Sequence, residues 1–550
     1  MESGHILKGS IQQASYNIVL QVAFRVVTFL LNAFILHYVS QDVLGIINVR
    51  LVLLFSTILF VSREAFRRAC LSKAQNHNWP QVINLIWLTV PNAILWSSFF
   101  GYIWLNLLSQ PDKSITQDYS IAVCLICLSC VVEAFGEPIY LFSQAFLYIK
   151  WRLVVDCLVV GIKTLALAVA VALNPDNALK AFAYSQLCVS SLFVLLYAAY
   201  FHSQLKKKRR VHKTKEQHPS DDHLLKLPFD HMSQFLPTKL HNQPLISYDL
   251  AKLTWSFFKQ GILKQVLTEG ERYIMTIFGV LSFAEQGVYD VVNNLGSMAA
   301  RFIFLPIEES GYFYFAQMIH RDAPIEKQSP SDIAQAAKVL KILLRGMLLI
   351  GLTILTFGFA YSHLLLQLYG GHTLSESPGP TLLRTHCACV LLLALNGVTE
   401  AYIFAAMSHS ELDRHNKFMV ALSCTFLLLS WGLSNLLGSV GFILANCANM
   451  ALRIAISLRY IHGQYSGSTH DPLKGLIPHP LVAVIYLVSF FVTATSERVI
   501  YPVSALAHVG IGGICLAVLG GSILKTEPDL TQYLMKILRS KLGLDSKKTE

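Results

Sequence analysis

The run ALKAFAYSQLCVSSLFVLLYAAYFHSQLKKKRR, residues 178–210, decides the fold class. Residues 178–203 form one long apolar segment, and Lys206-Lys207-Lys208-Arg209-Arg210 ends it. A helix of about 20 mainly apolar residues spans the hydrocarbon core of a bilayer. Lys and Arg stay on the cytoplasmic side of such a helix. Read outward in both directions, the pattern recurs. Apolar segments fall near 14–37, 44–66, 80–108, 119–146, 151–173, 178–203, 253–281, 286–318, 335–362, 381–407, 416–437, 439–460, 479–496 and 502–524. Of the 550 residues, 54% are hydrophobic and only 14% charged, where a soluble domain carries about a quarter charged residues. Mean hydropathy is +0.49. The chain therefore reads as an all-α polytopic membrane protein with about 14 transmembrane helices, and not as a soluble enzyme.

The net charge of +11 raises nucleic acid as a partner, and its distribution argues against it. When the connections are numbered alternately, the even ones, together with both termini, hold 30 Lys and Arg. The odd ones hold two, Lys113 and Arg498. That asymmetry predicts an even number of helices with both termini and the linker in the cytoplasm. No cleavable signal peptide is read at Met1–Ser10. Lys547 and Lys548, near the end of the chain, resemble a dilysine retrieval signal of endoplasmic reticulum membrane proteins; the competing reading is two chance lysines in a basic tail. No Asn-x-Ser/Thr acceptor occurs. Cys124, Cys127 and Cys130 have metal-like spacing but lie in an apolar helix without a nearby His or a fourth ligand, so they read as packing residues.

The segments group into two halves. Residues 1–204 form an N-terminal six-helix lobe, 205–250 a polar, basic, disordered cytoplasmic linker, and 251–476 a C-terminal six-helix lobe. Residues 477–524 add helices thirteen and fourteen, and 525–550 form a cytoplasmic tail. Ser40-Gln-Asp-Val-Leu-Gly45 echoes Ser282-Phe-Ala-Glu-Gln-Gly287, and Glu137-Pro-Ile-Tyr-Leu-Phe echoes Glu400-Ala-Tyr-Ile-Phe. Parallel six-helix repeats are a transporter architecture with the site between the halves. The small residues Gly513, Ala517 and Gly521 give helix fourteen a face for close packing.

Ionisable residues inside a membrane are costly and usually face a cavity or a partner. Here they fall on helical stripes. The first segment carries Gln21, Arg25, Thr28 and Asn32, and the eighth carries Asp290, Asn294, Ser297 and Arg301. The fourth carries Glu133, Glu137 and Gln144, and the fifth Arg152, Asp156 and Lys163. The seventh adds Glu269 and Arg272. Polar glue between packed helices explains part of this. The functional reading is a hydrated, cation-rich cavity suited to an anionic, hydroxyl-rich cargo, because Arg forks match phosphate. Arg63, Arg67 and Arg68 would meet a headgroup at the cytoplasmic end of the second segment; the bland alternative is topology and ion pairing, since Glu64 and Arg68 are four apart. Glu308 and Glu309 at the repeat-equivalent position suggest a gate with those arginines. No phosphate-binding loop, His-Glu-x-x-His or Gly-x-Ser-x-Gly occurs, so no catalytic set, metal or cofactor is read from the chain.

Several strings resemble one known family. They are Asn48-Val-Arg-Leu51, Arg63-Glu-Ala-Phe-Arg-Arg-Ala69, Thr254-Trp-Ser-Phe-Phe-Lys-Gln260, Glu269-Gly-Glu-Arg-Tyr273, Gln286-Gly-Val-Tyr-Asp-Val-Val-Asn-Asn-Leu-Gly296, Pro306-Ile-Glu-Glu-Ser310 and Gly438-Ser-Val-Gly-Phe-Ile-Leu-Ala-Asn-Cys447. Together they resemble the eukaryotic Rft oligosaccharide-translocation family over nearly the whole chain. The resemblance implies membership in the superfamily of MATE exporters and lipid II flippases, with two six-helix lobes plus two extra helices. It also implies a cargo, dolichyl-diphosphate-linked Man5GlcNAc2, moved from the cytoplasmic to the lumenal leaflet of the endoplasmic reticulum for N-glycosylation. Two other readings stay open at this point. One is a non-transporting accessory protein that binds lipid-linked oligosaccharide. The other is a MATE-like small-cation exporter, which the cationic stripes weigh against.

Overall fold

The computed structural model describes residues 27–72, 78–146, 148–214, 227–240, 244–321, 328–376, 378–466 and 471–532. These residues form helices and turns, with no strand among them. In chain order the helices are α1 (Val27–Leu36), α2 (Gln41–Leu71), α3 (Trp79–Leu107), α4 (Lys113–Ala145), α5 (Ile149–Leu173), α6 (Ala178–Thr214), α7 (Tyr248–Thr268), α8 (Gly270–Phe278), α9 (Phe283–Gly296), α10 (Leu305–Met318), α11 (Pro330–Gly370), α12 (Gly379–Ala406), α13 (His409–Leu437), α14 (Ser439–Tyr465), α15 (Pro480–Val499) and α16 (Ala505–Thr526).

Eleven of the described helices, α2 to α6 and α11 to α16, are long and apolar enough to cross a membrane. The expected count of about fourteen transmembrane helices is not confirmed by the eleven found among the described residues. Only Val27–Leu36 of the first apolar segment is among the described helices. The seventh segment divides at Glu269, where the backbone leaves helical geometry (φ −101°, ψ 13°) between α7 and α8. The eighth divides between Gly296 and Leu305 around a π-turn, Ala300–Phe304, with Pro306 opening α10. Charges crowd the first break, and Gly and Pro, poor residues for a helix interior, flank the second.

The chain separates into two compact units, 1–287 and 288–550. In the first, α4 packs along α6, α5 lies against α6, α3 against α4, and α7 against the end of α2. One core cluster gathers Ile46, Leu51, Leu54, Ile58, Trp104, Tyr119 and Ile126. A second gathers Trp79, Phe142, Phe201, Phe229 and Phe235. The second cluster overturns the expectation of a disordered linker for much of 205–250. Helix α6 runs on to Thr214, and Leu227, Phe229 and Phe235 are buried in the cluster. Phe142 meets Phe229 at 5.0 Å and Phe235 at 5.1 Å between ring centroids. The buried Lys208 ammonium donates to the Leu227 and Phe229 carbonyls at 2.8 and 3.1 Å and pairs with Asp230 at 2.6 Å. Asn84 adds bonds to the Thr238 and Leu245 carbonyls. The basic block thus serves partly as a dock. Apolar side chains too sparse to show as a periodic pattern secure the strap by aromatic burial.

The echo strings at 40–45 and 282–287 pack on each other. A Cβ on Gly45 would fall 1.8 Å from the Phe283 carbonyl oxygen, and one on Gly287 would fall 2.5 Å from the Gln41 oxygen. Only glycine at both positions lets the backbones approach this closely.

In the second unit α12 packs against α11, α14 and α10, and α13 pairs with α14. Its core contains Phe304, Phe315, Leu340, Leu344, Val398, Tyr402 and Ile461. Helices α15 and α16 pack on each other and α15 lies along α11. Two ion pairs far apart along the helices secure this pair to the unit. Arg345 of α11 pairs with Glu527 just beyond α16, and Arg384 of α12 pairs with Glu497 of α15 at 2.5 Å.

Candidate functional site

Two polar assemblies are built into this scaffold, one in each unit. The first begins in α2, whose helix contains two π-turns, Ile46–Leu51 and Phe60–Glu64. A π-turn inserts a residue into the helical ladder and shifts which side chains face inward. Arg50 and Arg63 each sit in one of these turns, and Arg301 sits in another, Ala300–Phe304. Arg63 Nη1 donates to Glu133 Oε2 and Glu137 Oε1 of α4, both at 2.8 Å. Arg67 grips Glu137 with Nε at 2.7 Å and Nη2 at 2.6 Å, and its guanidinium lies 4.0 Å from the Tyr140 ring centroid. Glu137 is 0% exposed. The chain of bonds continues from Glu133 Oε1, which accepts from Ser190 Oγ at 2.9 Å. Ser190 in turn accepts from Gln186 at 3.3 Å, and Gln186 Oε1 accepts from Lys163 Nζ at 2.6 Å. Lys163 also lies over the Phe182 ring.

Four helices, α2, α4, α5 and α6, are thus joined by one hydrogen-bonded chain from Lys163 to Arg67. It holds three cations against two carboxylates. Buried ions persist only when paired and hydrogen-bonded, and here Glu133 and Glu137 neutralise most of the positive charge. The structure therefore brings together Arg63, Arg67, Glu133, Glu137 and Lys163 as a cross-linked set whose donors are largely spent on each other.

The other predicted residues fall elsewhere. Arg68 pairs with Glu64 at 2.8 Å within its own helix. Arg152 bonds Gln144 at 2.8 Å and lies 3.5 Å from Asp156, both side chains about half exposed. Arg272 pairs with Glu269 at 3.0 Å beside the α7–α8 break. Asn32 is exposed on α1. Gln21, Arg25, Lys547 and Lys548 lie outside the described residues. On the stripe of the eighth segment, Asn294 donates to the buried Asp290 at 3.0 Å, and Arg301 Nη2 bonds Asn294 Oδ1 at 3.1 Å and Ser297 Oγ at 2.5 Å. Cys130 packs in the first core, and Cys127 points at the Ser97 carbonyl at 3.4 Å.

The second assembly is a cavity of about 1080 Å³ in the second unit, framed by the π-turn, α10, α12, α13 and α14. Arg301, Arg321 and Arg453 supply cations to it, and Glu308, Glu309 and Glu400 supply carboxylates. Arg453 of α14 grips Glu400 of α12 through Nε at 2.7 Å and Nη2 at 2.9 Å. Arg321 donates to the Phe404 and Ala405 carbonyls and to the Tyr312 hydroxyl, at 2.9, 3.2 and 3.1 Å. The volume is slightly above the range usual for a small-ligand pocket. Lining atoms are mostly apolar, with charged groups at a few points, a pattern suited to an amphiphile with an anionic group.

Sequence reasoning passed over Arg453, Asn396, Gln186 and Ser190, and the anchors Arg345 and Arg384. For Arg453 a signal existed: Asn446, Asn449, Arg453 and Ser457 are spaced as one helical face. Glu400, the echo of Glu137, is likewise the acid of an Arg pair, though only partly buried where Glu137 is fully so. Their partners come from non-equivalent helices, α14 for Glu400 and α2 for Glu137.

Comparison with known proteins bears on the family and the fold. Residues 9–537 match the family described as Rft protein. Man(5)GlcNAc(2)-PP-dolichol translocation protein RFT1 of Mus musculus is 45% identical over 548 residues, covering 99% of this chain and 98% of that one. The protein of the same name from Xenopus tropicalis is 45% identical over 545 residues, covering 98% and 99%. The Drosophila melanogaster protein is 41% identical over 526 residues, covering 92% and 94%. Among solved structures, lipid II flippase MurJ in an inward closed conformation superposes with a TM-score of 0.58 at 12% identity, over 93% of this chain and 99% of that chain. The MurJ likeness shows that the two chains share a fold. With near-complete coverage at 45% identity, the chain belongs to the Rft protein family.

Proposed function

We propose that this protein translocates dolichyl-diphosphate-linked Man5GlcNAc2 across the endoplasmic reticulum membrane, from the cytoplasmic to the lumenal leaflet. The observation that carries the reading is the end-to-end match to relatives named for translocating that lipid. The MurJ-like fold supports a carrier of polyprenyl-linked cargo. Within the chain, the cavity of the second unit is the better candidate for the diphosphate. Its three guanidiniums line open space while each keeps a partner within the unit, whereas Arg63 and Arg67 belong to a hydrogen-bonded chain between packed helices. Arg301 and Arg453 would meet phosphate oxygens, and the hydrated volume would take the first sugars. Moving a charged group through mid-bilayer costs from about 3 to more than 10 kcal/mol, and cationic contacts in the cavity lower that barrier. The 30-to-2 distribution of Lys and Arg supports cytoplasmic termini.

The test is full-length protein in liposomes containing authentic lipid-linked oligosaccharide, scored for transbilayer movement. Wild type should speed movement over empty liposomes, and Arg301→Gln with Arg453→Gln should slow it at least tenfold. Binding of the lipid without movement would overturn translocation and favour an accessory role.

A further inference from the structure

Two acceptor side chains of the second-unit cavity that are at least half-buried lack donors among the described residues. Glu308, half-buried on α10, accepts no hydrogen bond and makes no ion pair among the described residues. Each nearby cation is engaged: Arg453 by Glu400, Arg321 by the Phe404 and Ala405 carbonyls, and Arg301 by Asn294 and Ser297. The second acceptor is Oδ1 of Asn396 on α12. Asn396 is 7% exposed, and this oxygen is buried without a partner. The two are neighbours. Glu308 Oε1 lies 1.6 Å from the position a Cβ would take on Gly397, so the carboxylate is seated on the α12 backbone one residue from Asn396. Both side chains line the same cavity.

A buried acceptor without a donor carries a desolvation cost. A carboxylate and an amide oxygen sharing one space relieve that cost together if a positive species sits between them. A protonated Glu308 would donate to Asn396 Oδ1, and a sodium ion would be coordinated by both, with water from the cavity. A divalent ion, which takes six or more oxygens, finds too few here. We infer that Glu308 and Asn396 form a binding site for one small monovalent cation, Na+ or a proton.

The charged and titratable groups around the site are Arg301, Glu309 and Tyr312 on the same chain segment, Arg321 beyond α10, Glu400 on α12 and Arg453 on α14. His415 on α13 is electrostatically linked to Glu400 and Arg453. With Glu308 ionised and empty, three arginines face three carboxylates in the cavity. A bound cation leaves a surplus of one positive charge, which raises affinity for an anionic headgroup. That consequence rests on the proposed translocation; the cation site itself does not.

The test is thermal unfolding of full-length protein in nanodiscs at constant ionic strength, in choline, sodium and potassium chloride, each from pH 8.5 to 5.5. If Na+ is the ligand, saturating NaCl at pH 7.5 raises the midpoint by about 2–4 °C over choline. If a proton is the ligand, sodium has no effect and acidification raises the midpoint instead. In either case Glu308→Gln removes the response and melts at least as high as loaded wild type, because its amide NH2 supplies the donor that Asn396 Oδ1 lacks. Glu309→Gln should keep the response. Equal cation and pH responses in wild type and Glu308→Gln would overturn the site. Asn396→Asp adds a second carboxylate and should enlarge the response; should Glu308→Gln not fold, a response in Asn396→Asp no larger than wild type overturns the site on its own.

Discussion

Replacing Glu137 with Gln should destabilise the first unit far more than a change in one neutral-sized atom suggests. The Glu137 carboxylate is fully buried and accepts three hydrogen bonds, from Arg63 Nη1, Arg67 Nε and Arg67 Nη2, at 2.8, 2.7 and 2.6 Å. Gln keeps one acceptor and turns an NH2 toward a guanidinium. Arg63 is still held by Glu133 at 2.8 Å, so most of the loss falls on Arg67. That residue retains the face of Tyr140, a cation–π contact of about 0.5–2 kcal/mol. Breaking one side of a buried ion pair costs about 3–5 kcal/mol, and the retained contacts place this case near about 3 kcal/mol. For a unit of domain size that corresponds to about 6–12 °C in unfolding temperature. The assay is thermal unfolding of purified full-length protein in detergent, followed by thiol-reactive fluorescence. Removing the orphaned cation in the same chain tests the cause. Arg67→Met in the Glu137→Gln background should recover about 2 kcal/mol, so the two changes are strongly non-additive. A Glu137→Gln protein that melts like wild type, or additive losses in the double variant, would refute the reading of this network as a paired structural cross-link.

Two further outcomes follow from local geometry. Lys208→Met strips two buried carbonyls and Asp230 of their donor and should cost about 1–3 kcal/mol, read as faster limited proteolysis of the 227–240 strap; the exposed Lys206→Met should leave the cleavage rate unchanged. Gly45→Ala forces a Cβ against the Phe283 carbonyl and should lower stability by about 2–3 kcal/mol, whereas Gly279→Ala, in open space at φ 58°, should cost only about 1–2 kcal/mol, both read from unfolding midpoints.

The sequence by itself determined the class of molecule. Apolar length and the placement of Lys and Arg specify helices in a bilayer, because both reflect transfer free energies that act residue by residue. The likeness of Ser40–Gly45 to Ser282–Gly287 was legible in the same way, as two similar strings. That these strings pack on each other through Gly45 and Gly287 was not legible, since a close backbone approach leaves no periodic trace. The tertiary structure also decided which partner each charge takes and which charges line a cavity. On the page of the sequence Arg63, Arg67 and Arg301 are equivalent cations on helical stripes. In the fold the first two pair with Glu133 and Glu137, while Arg301 bonds Asn294 and Ser297 and lines a cavity with Arg453, a residue no stripe had singled out. The ordered strap at 227–240 was hidden likewise, because three apolar side chains in a polar stretch show no pattern until α4 and α6 supply the aromatic surface that buries them. Pairing energy depends on distance and dielectric, and both are properties of helix packing rather than of residue spacing.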